Sequence, residues 1–184
     1  MDLEHKFARV GEDLKVAETT DEAVVIEGYA SLFGKADQGR DVVEAGAYKA
    51  SLKRIEGKGD RVRMLWQHDP TQPIGVWDEV REDATGLWVK GRILTTVEKG
   101  REAAALLAAK AIDGLSIGYR TIKAKKDDTG LRRLSELELW EVSLVTFPML
   151  PEARVAAKGD DPEAMDLREL ARVFDEARAE LNRA

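Results

Sequence analysis

The stretch AIDGLSIGYR, residues 111–120, carries Gly114, Ser116 and Gly118 in a G-x-S-x-G pattern. The same spelling marks the nucleophile elbow of α/β-hydrolases, so its reading decides between fold classes. In that fold the triad runs serine, acid, histidine along the chain. Here both histidines, His5 and His68, precede Ser116. No imidazole follows the serine, and the α/β-hydrolase reading fails. A serine nucleophile served by an upstream histidine stays open, because a triad is defined by geometry and roles rather than by chain order.

Outward from the motif, the pattern is mostly strand. Residues 115–125 read as a strand, Asp127-Asp128-Thr129-Gly130 as a turn, and residues 131–145 as a long returning strand. Upstream, residues 23–33 are β-branched and aromatic, and a polar loop, GKADQGRDVVEAG, follows. Residues 47–55 form a short predicted helix with Tyr48, Leu52 and Ile55 on one face, closed by GKGD. A strand over 61–66 runs into Gln67-His68-Asp69-Pro70, where Pro70 and Pro73 are expected to end it. Residues 74–82 and 87–94 make an antiparallel pair. Residues 99–112 are a helix with Ala103, Leu106, Leu107 and Lys110 near one face. Short strands at this spacing, with two helices inserted, predict an α+β chain built on a β-barrel or sandwich.

The whole chain bounds the chemistry. Its 184 residues make one domain of ordinary size with an appendage, and a 43% apolar fraction suffices for a core. The domain is expected over 1–156. Residues 157–184 read as a linker (AAKGDDPEA) and a C-terminal amphipathic helix, with Leu167, Leu170, Val173, Phe174, Ala177 and Leu181 on one stripe. Cysteine is absent, which excludes a thiol nucleophile, disulfides and thiolate zinc sites; no metal or cofactor is expected. The N-terminus opens charged, without a signal peptide, and no stretch approaches a membrane span. The net charge of −6 lacks a nucleic-acid footprint, and the basic residues over 120–126 and at Arg132 and Arg133 read as solvated strand faces.

Within those bounds His68 is the candidate base. It ends a strand before a proline-punctuated loop, whereas His5 sits in a polar N-terminal segment expected to be mobile. The orienting acid is sought in Leu139-Trp140-Glu141-Val142-Ser143-Leu144-Val145. There Glu141 is the one charge in a run whose two faces both look buried. A buried carboxylate costs several kcal/mol unless it is paired or hydrogen-bonded, so Glu141 needs a partner such as an imidazolium. A structural pairing with an arginine is the competing role. Glu136 and Glu138 lie where the strand is still polar, and Asp69, next to His68, points to the opposite side of its strand. Ser116 would attack a carbonyl, His68 would take its proton and Glu141 would hold the imidazole. Oxyanion donors are sought in the irregular segment after the Glu141 strand, at Phe147 and Met149.

Five blocks of the chain, VVIEGYASLFG, GRDVVEAGAYKASL, VRMLWQHDPTQPIGVWDEVREDATGLWVKGRI, GREAAALLAAKAIDGLSIGY and LELWEVSLVTFPMLPEARV, resemble the prohead maturation proteases of tailed bacteriophages and their relatives in gene transfer agents. The resemblance spans about residues 20–156. It implies a serine endopeptidase with a fold similar to the herpesvirus assembly protease, a closed, mainly antiparallel β-barrel ringed by helices. It implies action inside the assembling procapsid in the bacterial cytoplasm. The implied partners are the major capsid protein precursor with its scaffolding segment and further copies of the chain, not nucleic acid or membrane. Self-cleavage is also implied. The family's histidine, serine and acid map onto His68, Ser116 and Glu141. Phe147-Pro148-Met149-Leu150 departs from the small residues usual there, which touches the oxyanion assignment alone. The competing reading is a non-catalytic capsid assembly module, which would leave the three residues far apart.

Overall fold

A computed structural model describes residues 4–7, 15–20, 22–37 and 39–147. The boundary at 156, the linker and the C-terminal helix expected beyond it lie outside the described residues. Along the chain come β1 (Glu4–Phe7), β2 (Lys15–Thr19), β3 (Ala23–Leu32), β4 (Asp41–Val43), α1 (Lys49–Lys58), β5 (Arg63–Trp66), β6 (Asp69–Glu82), β7 (Gly86–Leu94), α2 (Glu98–Ala108), β8 (Gly114–Lys126) and β9 (Arg132–Val145).

The strands form one curled sheet in the order β1-β8-β9-β5-β6-β7-β3-β2, with β4 also against β9. The expected closed antiparallel barrel is corrected here to an open, mixed sheet. Among the described residues β1 and β2 end the strand order without pairing to each other. The mixed character has a local cause. β4 and β5 both lie parallel to β9 along one of its edges, β4 beside Arg132, Arg133 and Leu134 and β5 beside Glu141, Val142, Ser143 and Leu144. A connection through a helix, unlike a hairpin, returns the chain in its original direction. α1 makes that connection. Between β4 and β5 the β9 edge is closed by Leu137 N–H donating to the Ala47 carbonyl (3.0 Å) and Leu139 N–H donating to the Ser51 hydroxyl (2.9 Å).

The concave face holds one core, in which Ile26, Val43, Met64, Val89, Ile93, Ile117, Leu134 and Val142 are all buried. Each such side chain contributes about 1.5–3 kcal/mol on burial. β8 and β9 form the longest strand pair among the described residues. Their turn is tied by Asp127, whose carboxylate accepts from Thr129 N–H, the Thr129 hydroxyl and Leu131 N–H. The Thr129 hydroxyl is the main cause that holds the Asp127 carboxyl down to about 2.

Four expectations are revised by packing. The polar loop after β3 contains β4, whose Val42 and Val43 are buried. The N-terminal segment with His5 is a strand, β1, paired with β8; the far edge of β8 presents backbone groups that need partners. Pro70 and Pro73 do not end a strand, because β6 runs through both. β7 pairs with β6 only from Gly75 onward. Before that point, among the described residues, one edge of β6 carries no paired strand, and a residue lacking N–H is tolerated at such an edge. In α2 the buried stripe is Gly100, Ala103, Ala104 and Leu107, and Leu106 is exposed. Gly100 sets this face: a Cβ there would lie 2.2 Å from the Leu94 carbonyl oxygen.

Candidate active site

β5 and β6 pair through Trp66 and Asp69, leaving Gln67 and His68 as a two-residue hairpin loop. Both loop residues have positive φ, 52° and 62°. This is the sign pattern of a type I′ turn, normally the place of Asn-Gly, and a side chain other than glycine there costs about 1–2 kcal/mol per residue. The turn is held from β9. Gln67 N–H donates to the Leu144 carbonyl (2.9 Å), His68 N–H donates to the Ser143 hydroxyl (3.2 Å), and the Gln67 side-chain amide donates to the Thr146 hydroxyl (2.5 Å). The imidazole is thus fixed by a strained turn clamped onto the neighbouring parallel strand.

Ser116 is the third residue of β8 and lies in register opposite Ser143 of β9. Glu141, two residues before Ser143, therefore shares its face of the sheet. The side chains of three elements meet at this point. Ser116 Oγ is 2.6 Å from His68 Nε2, and His68 Nδ1 is 2.6 Å from Glu141 Oε1. The second carboxylate oxygen, Glu141 Oε2, accepts a 2.5 Å hydrogen bond from the Ser143 hydroxyl. Glu141 is 4% exposed, and its two oxygens have separate partners, which offsets the cost of burying the charge. Ser116 is 0% exposed in this state.

The other acids are occupied elsewhere. Glu138 pairs with Arg54 (2.5 Å) and with Arg120. Burial works against its ionised form, but the Arg54 and then the Arg120 guanidinium outweigh it and hold the carboxyl below the usual range. Asp69 accepts from Thr71 N–H (2.8 Å) and the Thr71 hydroxyl (2.6 Å). Of the two residues sought as oxyanion donors, Phe147 sits just past β9 with its side chain 85% exposed, and Met149 lies outside the described residues.

The second glycine of the G-x-S-x-G pattern now has a physical role. Gly118 stands in register opposite Glu141, and a Cβ built on it would lie 2.1 Å from Glu141 Oε1. The motif clears space for a carboxylate rather than forming an elbow. Ser143 and Gln67 are contributors the sequence reading passed over. Their signals were present as the i, i+2 spacing of Glu141 and Ser143 on one strand face, and as a polar residue before His68. Beside His68 and Glu141 opens a cleft of about 660 Å³, also lined by Leu65, Leu139, Trp140 and Arg61.

Comparison with known proteins places the chain in a family. The family model described as caudovirus prohead serine protease matches residues 12–168. The chain belongs to that family. It is 32% identical over 139 residues to the prohead protease of Enterobacteria phage HK97, covering 72% of this chain and 59% of that protein. It is 31% identical over 160 residues to the capsid polyprotein of Pseudomonas phage PAJU2, covering 83% of this chain and 22% of that protein. The chain thus spans about three-fifths of the first relative's length and about a fifth of the second's. Its fold is similar to that of the bacteriophage T4 capsid assembly protease, with a TM-score of 0.63 at 15% identity over 79% of this chain and 98% of that one. Among the described residues no helix is long and apolar enough to cross a membrane.

Proposed function

We propose that this chain is a serine endopeptidase that cleaves the capsid protein precursor at its scaffolding segment, and also itself, during procapsid maturation of a tailed phage or gene transfer agent. The observation that carries the reading is the unbroken contact chain from Ser116 through His68 to Glu141, with both contacts at 2.6 Å. Those distances lie within the range expected of a nucleophile, its base and the base's orienter. A non-catalytic assembly module would have no use for this chain of contacts, and would leave the three side chains apart.

The chemistry follows. Ser116 Oγ attacks the scissile carbonyl carbon as its proton passes to His68 Nε2. The imidazolium is held through Nδ1–H by the Glu141 carboxylate. The carbonyl oxygen, now an oxyanion, is received by backbone donors, for which the segment around Phe147 and Met149 is our candidate. Collapse breaks the C–N bond, and the amine nitrogen takes the proton from Nε2, leaving an acyl-Ser116. Water then gives its proton to His68 and its oxygen to the acyl carbon, and the proton returns to Ser116 as the new carboxyl terminus leaves. Substrate reaches the site along the cleft between α1 and β9, where Trp140 offers an apolar contact at 39% exposure.

Co-expression with its capsid protein precursor tests the reading. The precursor is expected to shorten by a discrete N-terminal or C-terminal segment, seen by intact mass. A precursor that keeps its full mass in the presence of folded protease overturns it. The complete burial of Ser116 carries a second expectation, that the site opens on association with substrate or with further copies. A fluorophosphonate should label Ser116 slowly in the free chain and faster once precursor is added. Equal labelling rates, measured by mass spectrometry across the association range, would remove the gating.

A further inference from the structure

We infer that Ser143 is a positioning residue of the proposed triad, acting on the histidine and the acid at once; this rests on the catalytic reading above. Ser143 is completely buried, and its one hydroxyl does two jobs. Its proton goes to Glu141 Oε2 at 2.5 Å, and its oxygen accepts His68 N–H at 3.2 Å. The first bond fixes the carboxylate plane so that the other oxygen, Oε1, meets His68 Nδ1. The second ties down the backbone of a residue held at φ 62°.

Two further observations give this hydroxyl more than a packing role. A left-handed turn of two non-glycine residues relaxes unless its surroundings hold it. Of the two N–H groups in the turn, Gln67's is taken by the Leu144 carbonyl, while His68's is taken by the Ser143 side chain. Ser143 also lies in register opposite Ser116 on one side and beside Leu65, of the strand leading into the turn, on the other. It therefore stands where the strands bearing nucleophile, base and acid come together. A hydrogen bond from a hydroxyl to a carboxylate is stronger in a dry site than in water, and loss of this hydroxyl takes one partner from the Glu141 carboxylate and one from His68 N–H.

The test compares Ser143→Ala and Ser143→Thr with the unaltered full-length chain, using the capsid precursor as substrate and Ser116→Ala as reference. Misplacing the imidazole by a fraction of an ångström to an ångström is expected to lower kcat by roughly tenfold to a hundredfold in Ser143→Ala, with KM unchanged. Ser143→Thr, which keeps the hydroxyl, should recover most of that loss. A spectroscopic readout separates positioning from packing. The low-field proton resonance of His68 Nδ1–H, observed in a His5→Gln background so that one histidine remains, should move in Ser143→Ala and stay in Ser143→Thr. Unchanged kcat in Ser143→Ala overturns the inference. So do equal losses in the two variants, or an unmoved resonance. If Ser143→Ala does not fold, Ser143→Thr decides alone, and it must fold, cleave and keep the resonance. Cleavage by Ser116→Ala would instead overturn the catalytic reading itself, which keeps the two failures distinct.

Discussion

Ser116→Ala is expected to lower the rate of capsid-precursor cleavage by about 10⁴- to 10⁶-fold, the loss typical of a triad nucleophile. The size of the effect follows from what remains. His68 and Glu141 keep their 2.6 Å contact, and the cleft beside them keeps its shape, so substrate binding survives. The atom that forms the acyl bond is gone, and only binding and oxyanion stabilisation are left to act on water. Folding should be nearly unaffected. Ser116 is fully buried, and alanine is smaller by one oxygen, so no neighbour is displaced. The cost is one hydrogen bond to His68 Nε2, about 1 kcal/mol. Cleavage timed by gel and intact mass, beside a thermal melt, checks both halves. A melt that collapses would make the loss uninformative, and a variant that cuts at the unaltered rate would remove Ser116 from the chemistry.

Much of this site was legible because burial and charge conflict at one position. Glu141 stands in a run where Leu139, Val142, Ser143, Leu144 and Val145 are buried, although Trp140 is exposed against the expectation of two buried faces, and a carboxylate there demands a partner. His68 was legible because the chain has so few histidines. The β8–β9 hairpin was legible from Asp127-Asp128-Thr129-Gly130, where short polar side chains bond their own backbone. What escaped has common physical causes. β4 is three residues long, too short to show alternation, and it is recruited by the edge of β9 rather than by its own propensity. The end of α2 was set too late because it terminates without glycine. Lys110 takes the left-handed position at φ 57°, with Lys110 N–H bonded to the Leu107 carbonyl and Ala111 N–H to the Leu106 carbonyl. Those are the bonds of a Schellman cap. α1 ends on Gly59 with the same pair of bonds, inside the GKGD stretch expected to close it, but it runs to Lys58, past the Ile55 expected as its last residue. The mixed sheet escaped because parallel pairing of β5 with β9 is a long-range event between strands separated by β6, β7, α2 and β8. The turn carrying His68 escaped for a different reason: Gln67-His68 breaks the local rule for a type I′ turn, and departures from local preference gather at functional sites.

Gly118→Ala is expected to have the second largest effect, although it adds a single methyl group. The new Cβ would lie 2.1 Å from Glu141 Oε1, 2.8 Å from its Cδ and 2.9 Å from its Cγ. On a surface, a glutamate would swing aside at little cost. Here Oε1 is held by His68 and Oε2 by Ser143, in a site with almost no solvent, so any movement of the carboxylate breaks the relay. Loss of the group that orients the imidazole costs up to about 10⁴-fold in kcat in serine proteases, and Gly118→Ala should approach that figure. Overpacking of this kind also lowers stability by about 1–3 kcal/mol. The two effects have separate origins only if the clash is with the carboxylate, and a double-mutant cycle isolates it. With Glu141→Ala the obstructing atoms are gone, so adding Gly118→Ala should cost little further stability, and the coupling between the two positions should be of opposite sign to each single loss. Chemical denaturation of the four chains and precursor cleavage by each provide the measurement. If Gly118→Ala keeps full activity, or destabilises as much without the Glu141 side chain as with it, the glycine is not there to admit the carboxylate. If instead the penalty vanishes in the double variant, the glycine two residues after Ser116 and the acid on the facing strand act as one unit, with the glycine holding the space in which Glu141 reaches His68.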